Sequence, residues 1–112
     1  MENTVILVTN NGMGQADEKL QQLLFGKYLE LLVQSERLPA ALCFYTDGVK
    51  LVCAGSPVLE QLHEIERRGV RLIICSTCLN YFELTDQVRT GIVGGMGDIL
   101  ESQTRAEKVI TI

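Results

Sequence analysis

The chain has 112 residues, the usual size of one domain, and 46% of them are hydrophobic, so it has enough apolar material for a core. The formal net charge of −4 argues against nucleic-acid and anionic-membrane partners, because both reward a basic face. No apolar run approaches the roughly 18 residues that span a bilayer, and no signal-peptide pattern is present. We therefore expect a cytoplasmic protein, in which cysteines are reduced, catalytic or metal-binding rather than disulfide-bonded.

Strands are predicted where short apolar runs end in polar or glycine-rich turns, and helices where apolar residues recur at helical spacing. In chain order we predict a strand at 3–9, a helix at 16–36, a strand at 40–46, an irregular or short helical piece at 47–55, a helix at 56–69, a strand at 70–75, a helix at 76–88, a weak strand at 90–95, a helix at 96–107 and a strand at 108–112.

Two of the predicted helices carry further signals. The apolar stripe of helix 16–36 is wide, so we expect cover on more than one side, from neighbouring elements or from another subunit. Gly26 inside it costs about 1 kcal/mol relative to alanine, which suggests close packing there. Ser56 is the predicted N-cap of the next helix, with Pro57 at its first position and Gly69 as its stop.

The alternation of strands and helices indicates an α/β fold. Continuous apolar strands between helices are typical of a parallel sheet that is buried on both faces. We predict a single domain over residues 1–112, a three-layer α/β/α sandwich with a five-stranded, mainly parallel sheet. Ligands in such sheets bind outside the carboxyl ends of the strands, so the loops that follow the first four strands are the candidate site.

A C-x-x-C pair lies at that edge. Cys75 ends the third strand, and Cys78 falls near the first turn of the following helix. Exposed N–H groups and the positive end of the helix dipole favour a thiolate there, which is the form that attacks and carries sulfur. The alternative is structural, because cysteine is small and is often buried at tight turns.

Two other chemistries fit the cysteines less well. A zinc site needs four ligands, and only the solvated His63, the core residue Cys43 and the distant Cys53 remain, so we predict no metal. A thioredoxin-like dithiol exchange is compatible with the spacing, but a thioredoxin motif follows the first strand rather than the third.

The glycine-rich loop after the first strand resembles a phosphate-binding turn in part. Its third glycine position is Asp17, whose charge repels phosphate and which suits a helix start with Glu18. We expect this loop and the turns nearby to form the walls of the cysteine pocket, with Met96 either as an apolar lid or in a simple tight turn. The predicted lining residues are Asn10, Asn11, Gly12, Met13, Gly14, Ser76, Thr77 and Met96.

Four segments together resemble the DsrE/DsrF-like sulfur-relay family. They are "VTNNGMGQADEKLQQLLFGKYL", "FYTDGVKLVCAGSPVLEQLHEIERRGV", "LIICSTCLNYFELTD" and "VGGM…IL". Within the family the sequence is most similar to the C-terminal domain of YedF-type proteins, which are named for a role in selenium metabolism. It departs from the family pattern at Ser76, where glycine is usual, and at residues 93–99. YedF-type proteins usually carry an N-terminal TusA-like domain as well, which the 112 residues do not include, either because it was trimmed from a longer protein or because this one stands alone.

The resemblance implies a DsrE-like α/β/α sandwich that assembles as a trimer or hexamer. It also implies that Cys75 holds sulfur as a persulfide and that Cys78 matches the family's second thiol. On this basis we expect a sulfurtransferase-like carrier of sulfur or selenium that needs no cofactor. Its partners would be sulfur-donor and acceptor proteins, TusA-like ones among them. The alternative is a non-enzymatic oligomeric binding or regulatory module whose C-x-x-C responds to redox state.

Overall fold

The structure, a computed structural model, describes residues 2–112; Met1, the first residue of the predicted domain, lies outside them. The elements follow in the predicted order. The strands are β1 (Glu2–Val8), β2 (Pro39–Phe44), β3 (Arg71–Cys75), β4 (Ile92–Gly94) and β5 (Lys108–Thr111). The helices are α1 (Glu18–Ser35), α2 (Leu59–Arg67), α3 (Ser76–Tyr81) and α4 (Met96–Arg105), and 3-10 helices cover Thr46–Val52 and Thr85–Gln87.

The five strands form one parallel sheet in the order β4-β3-β2-β1-β5. The chain steps in one direction from β1 to β4 and then crosses back over the sheet to reach β5. Because crossovers between parallel strands are right-handed, α1, α2 and α3 lie on one face and α4 lies on the other, where it contacts β1, β3 and β4. The predicted α/β/α sandwich with a parallel sheet is confirmed.

The core is built mainly from β1, β2 and β3, whose apolar side chains are buried on both faces of the sheet. Leu42 and Phe44 of β2 and Leu72 and Ile74 of β3 are fully buried. Cys43 of β2 interacts with Ser102 of α4, so α4 covers the face toward which this side chain points. None of the helices in residues 2–112 combines the length and apolar character that crossing a bilayer requires.

The helix ends agree with the sequence in part. Asp17 caps α1, with its carboxylate accepting the backbone N–H of Leu20 at 2.9 Å. The prediction of Ser56 as the N-cap of α2 is wrong, because α2 begins at Leu59. The Ser56 hydroxyl instead accepts the Val58 N–H at 3.3 Å, which closes a turn before the helix. This local bond competes with helix entry.

The helix predicted at 76–88 is also shorter than expected. α3 ends at Tyr81 because Glu83 adopts a left-handed backbone (φ 58°), and the Leu84 N–H then bonds back to the Leu79 carbonyl at 2.8 Å. Such a 6→1 bond terminates a helix. The remaining segment forms the second 3-10 helix, so the cysteine pair precedes a helix of only six residues.

α1 buries one face and leaves a second apolar face in solvent. Phe25 and Leu29 are fully buried, whereas a row of leucines on the same helix is exposed. The exposed residues are Leu20 (44%), Leu23 (60%), Leu24 (44%) and Leu31 (62%). The cover expected on more than one side is therefore present within the chain on one side only.

Gly26 of α1 is buried against α2, but its packing does not require glycine. A Cβ at this position would lie 3.7 Å from atoms of Val58 and Gln61, which is ordinary van der Waals contact. Gly48, in the first 3-10 helix, is different, because a Cβ there would collide with the Val8 carbonyl oxygen.

We predict opposite effects of alanine at these two buried glycines. Gly26→Ala should raise the free energy of unfolding by up to about 1 kcal/mol, because it removes the helix penalty of glycine without a clash. Gly48→Ala should lower it by about 1–3 kcal/mol through overpacking. Urea unfolding of the two variants beside wild type measures both, and equal effects at the two sites would contradict this packing.

Candidate functional site

The cysteine pair lies at the carboxyl edge of the sheet. Cys75 is the last residue of β3 and is paired in register with Gly94, the last residue of β4. The connection after β3 leaves to the α3 face and the connection after β4 leaves to the α4 face. In open α/β sheets, ligands bind outside the carboxyl ends of the strands, where neighbouring connections leave to opposite faces. This edge, with Cys75 and Cys78, is the candidate site.

The two thiols differ in exposure and are coupled to each other. Cys75 is 1% exposed, and Cys78, one turn further on α3, is half-buried. Burial raises the pKa of the Cys78 thiol above its usual value. A hydrogen bond from the Thr46 backbone lowers that pKa, and the hydrogen bond and negative charge of Cys75 raise it further. The Cys78 thiol is therefore protonated in the neutral pH range.

This result corrects one expectation for Cys78. A position near a helix N-terminus was expected to favour the thiolate. In the structure α3 has only six residues. Burial raises the pKa of Cys78 by more than the hydrogen bond from the Thr46 N–H lowers it.

Thr46 is a site residue that the sequence did not reveal. Its backbone N–H donates to Cys78 Sγ at 3.1 Å, across 32 positions of sequence. Its hydroxyl lies 2.5 Å from the Thr9 carbonyl oxygen and 2.7 Å from that of Tyr45. The residue has a left-handed backbone (φ 48°), which is rare for a β-branched side chain. The Thr-Asp-Gly sequence after β2 marks a turn, but not which residue adopts this conformation.

The loop after β1 is attached to α1. The Met13 N–H donates to the Gln21 carbonyl at 2.9 Å, and the Asn10 side chain donates to the Gly14 carbonyl at 2.7 Å. Gly12 is buried against the backbone of Gln21. The Met13 bond holds the loop to its own helix, and the Asn10 bond lies within the loop. Its link to the cysteines runs through the Thr9 carbonyl and Thr46.

The other predicted lining residues lie at different depths. Asn11 and Met13 are half-buried, and Gly14 is exposed. Ser76, the first residue of α3, is half-buried and Thr77 is exposed. Met96 begins α4, two positions after the end of β4, and is 48% exposed.

The remaining cysteines and the histidine have structural partners. Cys43 is fully buried, and burial raises its pKa to about 11, against the lowering effects of Arg71 and Ser102. Cys53 is buried and donates to the Val49 carbonyl at 3.3 Å.

The His63 ring hydrogen-bonds the Arg89 carbonyl at 3.2 Å. Across the part of the chain that the structure describes, no group of three His, Cys, Asp or Glu side chains is arranged to hold a metal.

Comparison with known proteins identifies one family and several similar folds. Residues 4–112 match the family described as DsrE/DsrF-like. A protein of unknown function, MTH1491 from Methanobacterium thermoautotrophicum, is similar at 21% identity and a TM-score of 0.72, with 97% of each chain covered. The ychN protein from E. coli is similar at 20% identity and a TM-score of 0.69, with both chains fully covered.

A third similar structure is BT1422 from Bacteroides thetaiotaomicron, a conserved protein of unknown function. It is 16% identical with a TM-score of 0.71, and the match covers 98% of this chain and 95% of that one. No curated protein matches the sequence. At these identities the likeness establishes the fold, and the site has to be argued from this chain's own residues.

We predict that Cys75→Ala makes Cys78 more reactive in mildly alkaline solution. The change removes a hydrogen bond and a negative charge that both raise the pKa of Cys78. At pH 8, below that pKa, the thiolate fraction and the alkylation rate should rise by less than about tenfold, the change for one pKa unit. Iodoacetamide labelling across pH, read by peptide mass spectrometry, measures it. Cys43→Ala is the matched control and should leave the Cys78 profile unchanged.

Proposed function

Because the chain belongs to the DsrE/DsrF-like family, we propose that it is a sulfurtransferase-like carrier that holds sulfur, or selenium, on Cys75. The observation that supports this most strongly is the position of Cys75. It ends β3 at the carboxyl edge of the sheet and interacts with a second thiol, Cys78. A carrier needs one nucleophilic sulfur at a ligand-binding edge, and this pair supplies a second sulfur for release.

Loading is a thiolate exchange. The Cys75 thiolate attacks the outer sulfur of a donor persulfide, and the bond between the two donor sulfurs breaks. Cys75 then carries the outer sulfur with its hydrogen as Cys75–S–SH, and the donor leaves as a thiolate. Transfer to an acceptor repeats the step in reverse, with the acceptor thiolate attacking the same outer sulfur. No cofactor takes part, because sulfur nucleophiles make and break every bond.

Cys78 offers a second exit for the sulfur. Its thiolate attacks the Cys75 sulfur of the persulfide, the Cys75–Cys78 disulfide forms, and hydrosulfide leaves. A dithiol reductant then restores both thiols. The raised pKa of Cys78 favours the thiol over the thiolate, so at neutral pH only a small fraction of Cys78 is in the form that makes this attack.

The burial of Cys75 is compatible with storage of a reactive group. A side chain that is 1% exposed is shielded from bulk thiols and oxidants, which consume exposed persulfides. A donor would reach this sulfur through a local opening at the start of α3, which follows Cys75 directly. α3 is a single six-residue helix whose C-terminal end passes directly into a turn, so little structure has to open.

We propose the following setting for this chemistry. Residues 1–112 act as one domain. The loops at 10–14 and 94–97 form the walls of the site around Cys75. The relation to YedF-type proteins would make a TusA-like protein a natural donor or acceptor. The exchange chemistry is the same for sulfur and selenium, since both form an outer atom that a thiolate can attack.

We predict that wild-type protein gains one labile sulfur when it is incubated with a persulfide donor, as measured by intact mass before and after reduction. Cys78→Ser should gain the sulfur and keep it longer, because the disulfide exit is closed. Cys75→Ser should gain none. Cys53→Ala removes a buried cysteine outside the pair and serves as the matched control, with loading like wild type.

A Cys75→Ser protein that still gains a labile sulfur would overturn the assignment of Cys75. If Cys53→Ala loses sulfur loading to the same extent as Cys75→Ser, the loss reflects a general loss of structure rather than the missing thiol.

A second candidate function, an oligomeric binding or regulatory module, is supported by the exposed apolar faces. One is the leucine row of α1. The other surrounds β4 and α4 and consists of Ile92 (61%), Val93 (46%), Met96 (48%) and Leu100 (60%). Clusters of exposed apolar side chains mark contact surfaces. We propose that the chain forms a homo-oligomer, the trimer or hexamer implied by the family, with the leucine row in the interface.

We predict that the double variant Leu23→Glu/Leu31→Glu has a smaller particle mass than wild type in size-exclusion chromatography with light scattering. Both side chains are about three-fifths exposed in the single chain, so charges there do not disturb the core. Gln34→Glu adds a charge to an exposed position of the same helix and is the control. A monomeric wild type would contradict the proposal.

A further inference from the structure

The contacts of Thr46 suggest a role beyond that of a turn residue. It connects the ends of three neighbouring strands: Thr9 follows β1, Thr46 itself begins the 3-10 helix after β2, and Cys78 lies in α3, the helix that follows β3. We propose that Thr46 is a positioning residue of the cysteine pair, whose backbone N–H holds Cys78 Sγ in place and whose hydroxyl holds that N–H in its direction.

The first step of the argument is the left-handed backbone. A non-glycine residue at φ 48° has a strained backbone and persists only where its surroundings enforce it. Two hydrogen bonds hold this conformation. The Thr46 hydroxyl donates to the Thr9 carbonyl oxygen at 2.5 Å, and the Tyr45 N–H donates to the Val8 carbonyl at 3.1 Å. Both bonds anchor the segment to the end of β1.

The second step is the direction of the N–H group. With the backbone held in this conformation, the N–H points at Cys78 Sγ, 3.1 Å away. An N–H donor stabilises a thiolate more than a thiol, so the contact opposes the burial that keeps Cys78 protonated. It also fixes the sulfur on α3, which sets where the second thiol stands relative to Cys75.

The purpose of this arrangement rests on the proposed function. In the carrier, Cys78 is the thiol that would release sulfur from Cys75, and Thr46 would set how readily it ionises. The contact itself is independent of sulfur loading. An experiment on the Cys78 thiol alone therefore separates a failure of this inference from a failure of the carrier proposal.

The test compares Thr46→Val with Thr46→Ser in a Cys75→Ala background, where the pH profile of alkylation reports Cys78 without its partner. Valine keeps the β-branch and loses the hydroxyl. We expect its Cys78 to alkylate about three- to tenfold more slowly at pH 8, as for the loss of one hydrogen bond to a charged sulfur. Serine keeps the hydroxyl and should restore the original profile.

Thr104→Val is the matched control, because it removes a hydroxyl that bonds the Leu100 carbonyl at 2.9 Å on α4, away from the cysteines. A role of Thr46 in stability alone would lower the melting temperature of Thr46→Val without moving the pH profile of Cys78. That outcome, or a serine variant that behaves like valine, would overturn the proposal.

A second measurement covers the case in which Thr46→Val does not fold. In the ¹⁵N-labelled Cys75→Ala protein, the Thr46 amide proton should shift with pH through the ionisation of Cys78. The shift should vanish in Cys75→Ala/Cys78→Ala. A Thr46 amide that is insensitive to pH in the first protein contradicts the contact. Persulfide loading of wild type, measured separately, decides the carrier proposal whichever result is obtained.

Discussion

The change of covered face between the connections after β3 and β4 is the constraint on which the candidate site depends. As long as the chain steps from β1 to β4 in one direction, every connection covers the same face. The return to β5 forces the connection after β4 onto the other face. The connections that follow β3 and β4 therefore cover opposite faces of the sheet, and the carboxyl end of β3 lies between them. Cys75 occupies this position.

The same geometry accounts for the difference between the two thiols. Cys75 is buried at the strand end, whereas Cys78, in the helix that follows, is half-buried. Burial opposes charge on sulfur, and at Cys78 this effect outweighs the backbone hydrogen bond that favours it. The Cys78 sulfur therefore stays neutral in the neutral pH range.

The sequence predicted the fold well and the site in part. The order of strands and helices, the Asp17 helix start and the position of Cys75 at a strand end all follow from periodicity and turn residues. The start of α2 was missed, because a serine hydroxyl can close a turn as readily as it caps a helix. The strand order could not be read, since β1, β2 and β3 are equally apolar and nothing local distinguishes a central strand from its neighbours.

Thr46 could not have been predicted for a further reason. Its conformation is unfavourable for its own residue type, so every local rule argues against it, and only contacts with distant segments make it stable. Those contacts join three strand ends to one sulfur. A hydrogen bond to sulfur strengthens when the sulfur becomes negative, so ionisation of Cys78 tightens the attachment of its turn to β1 and β2. The charge on the Cys78 sulfur therefore affects how firmly the start of α3 is attached to the ends of β1 and β2.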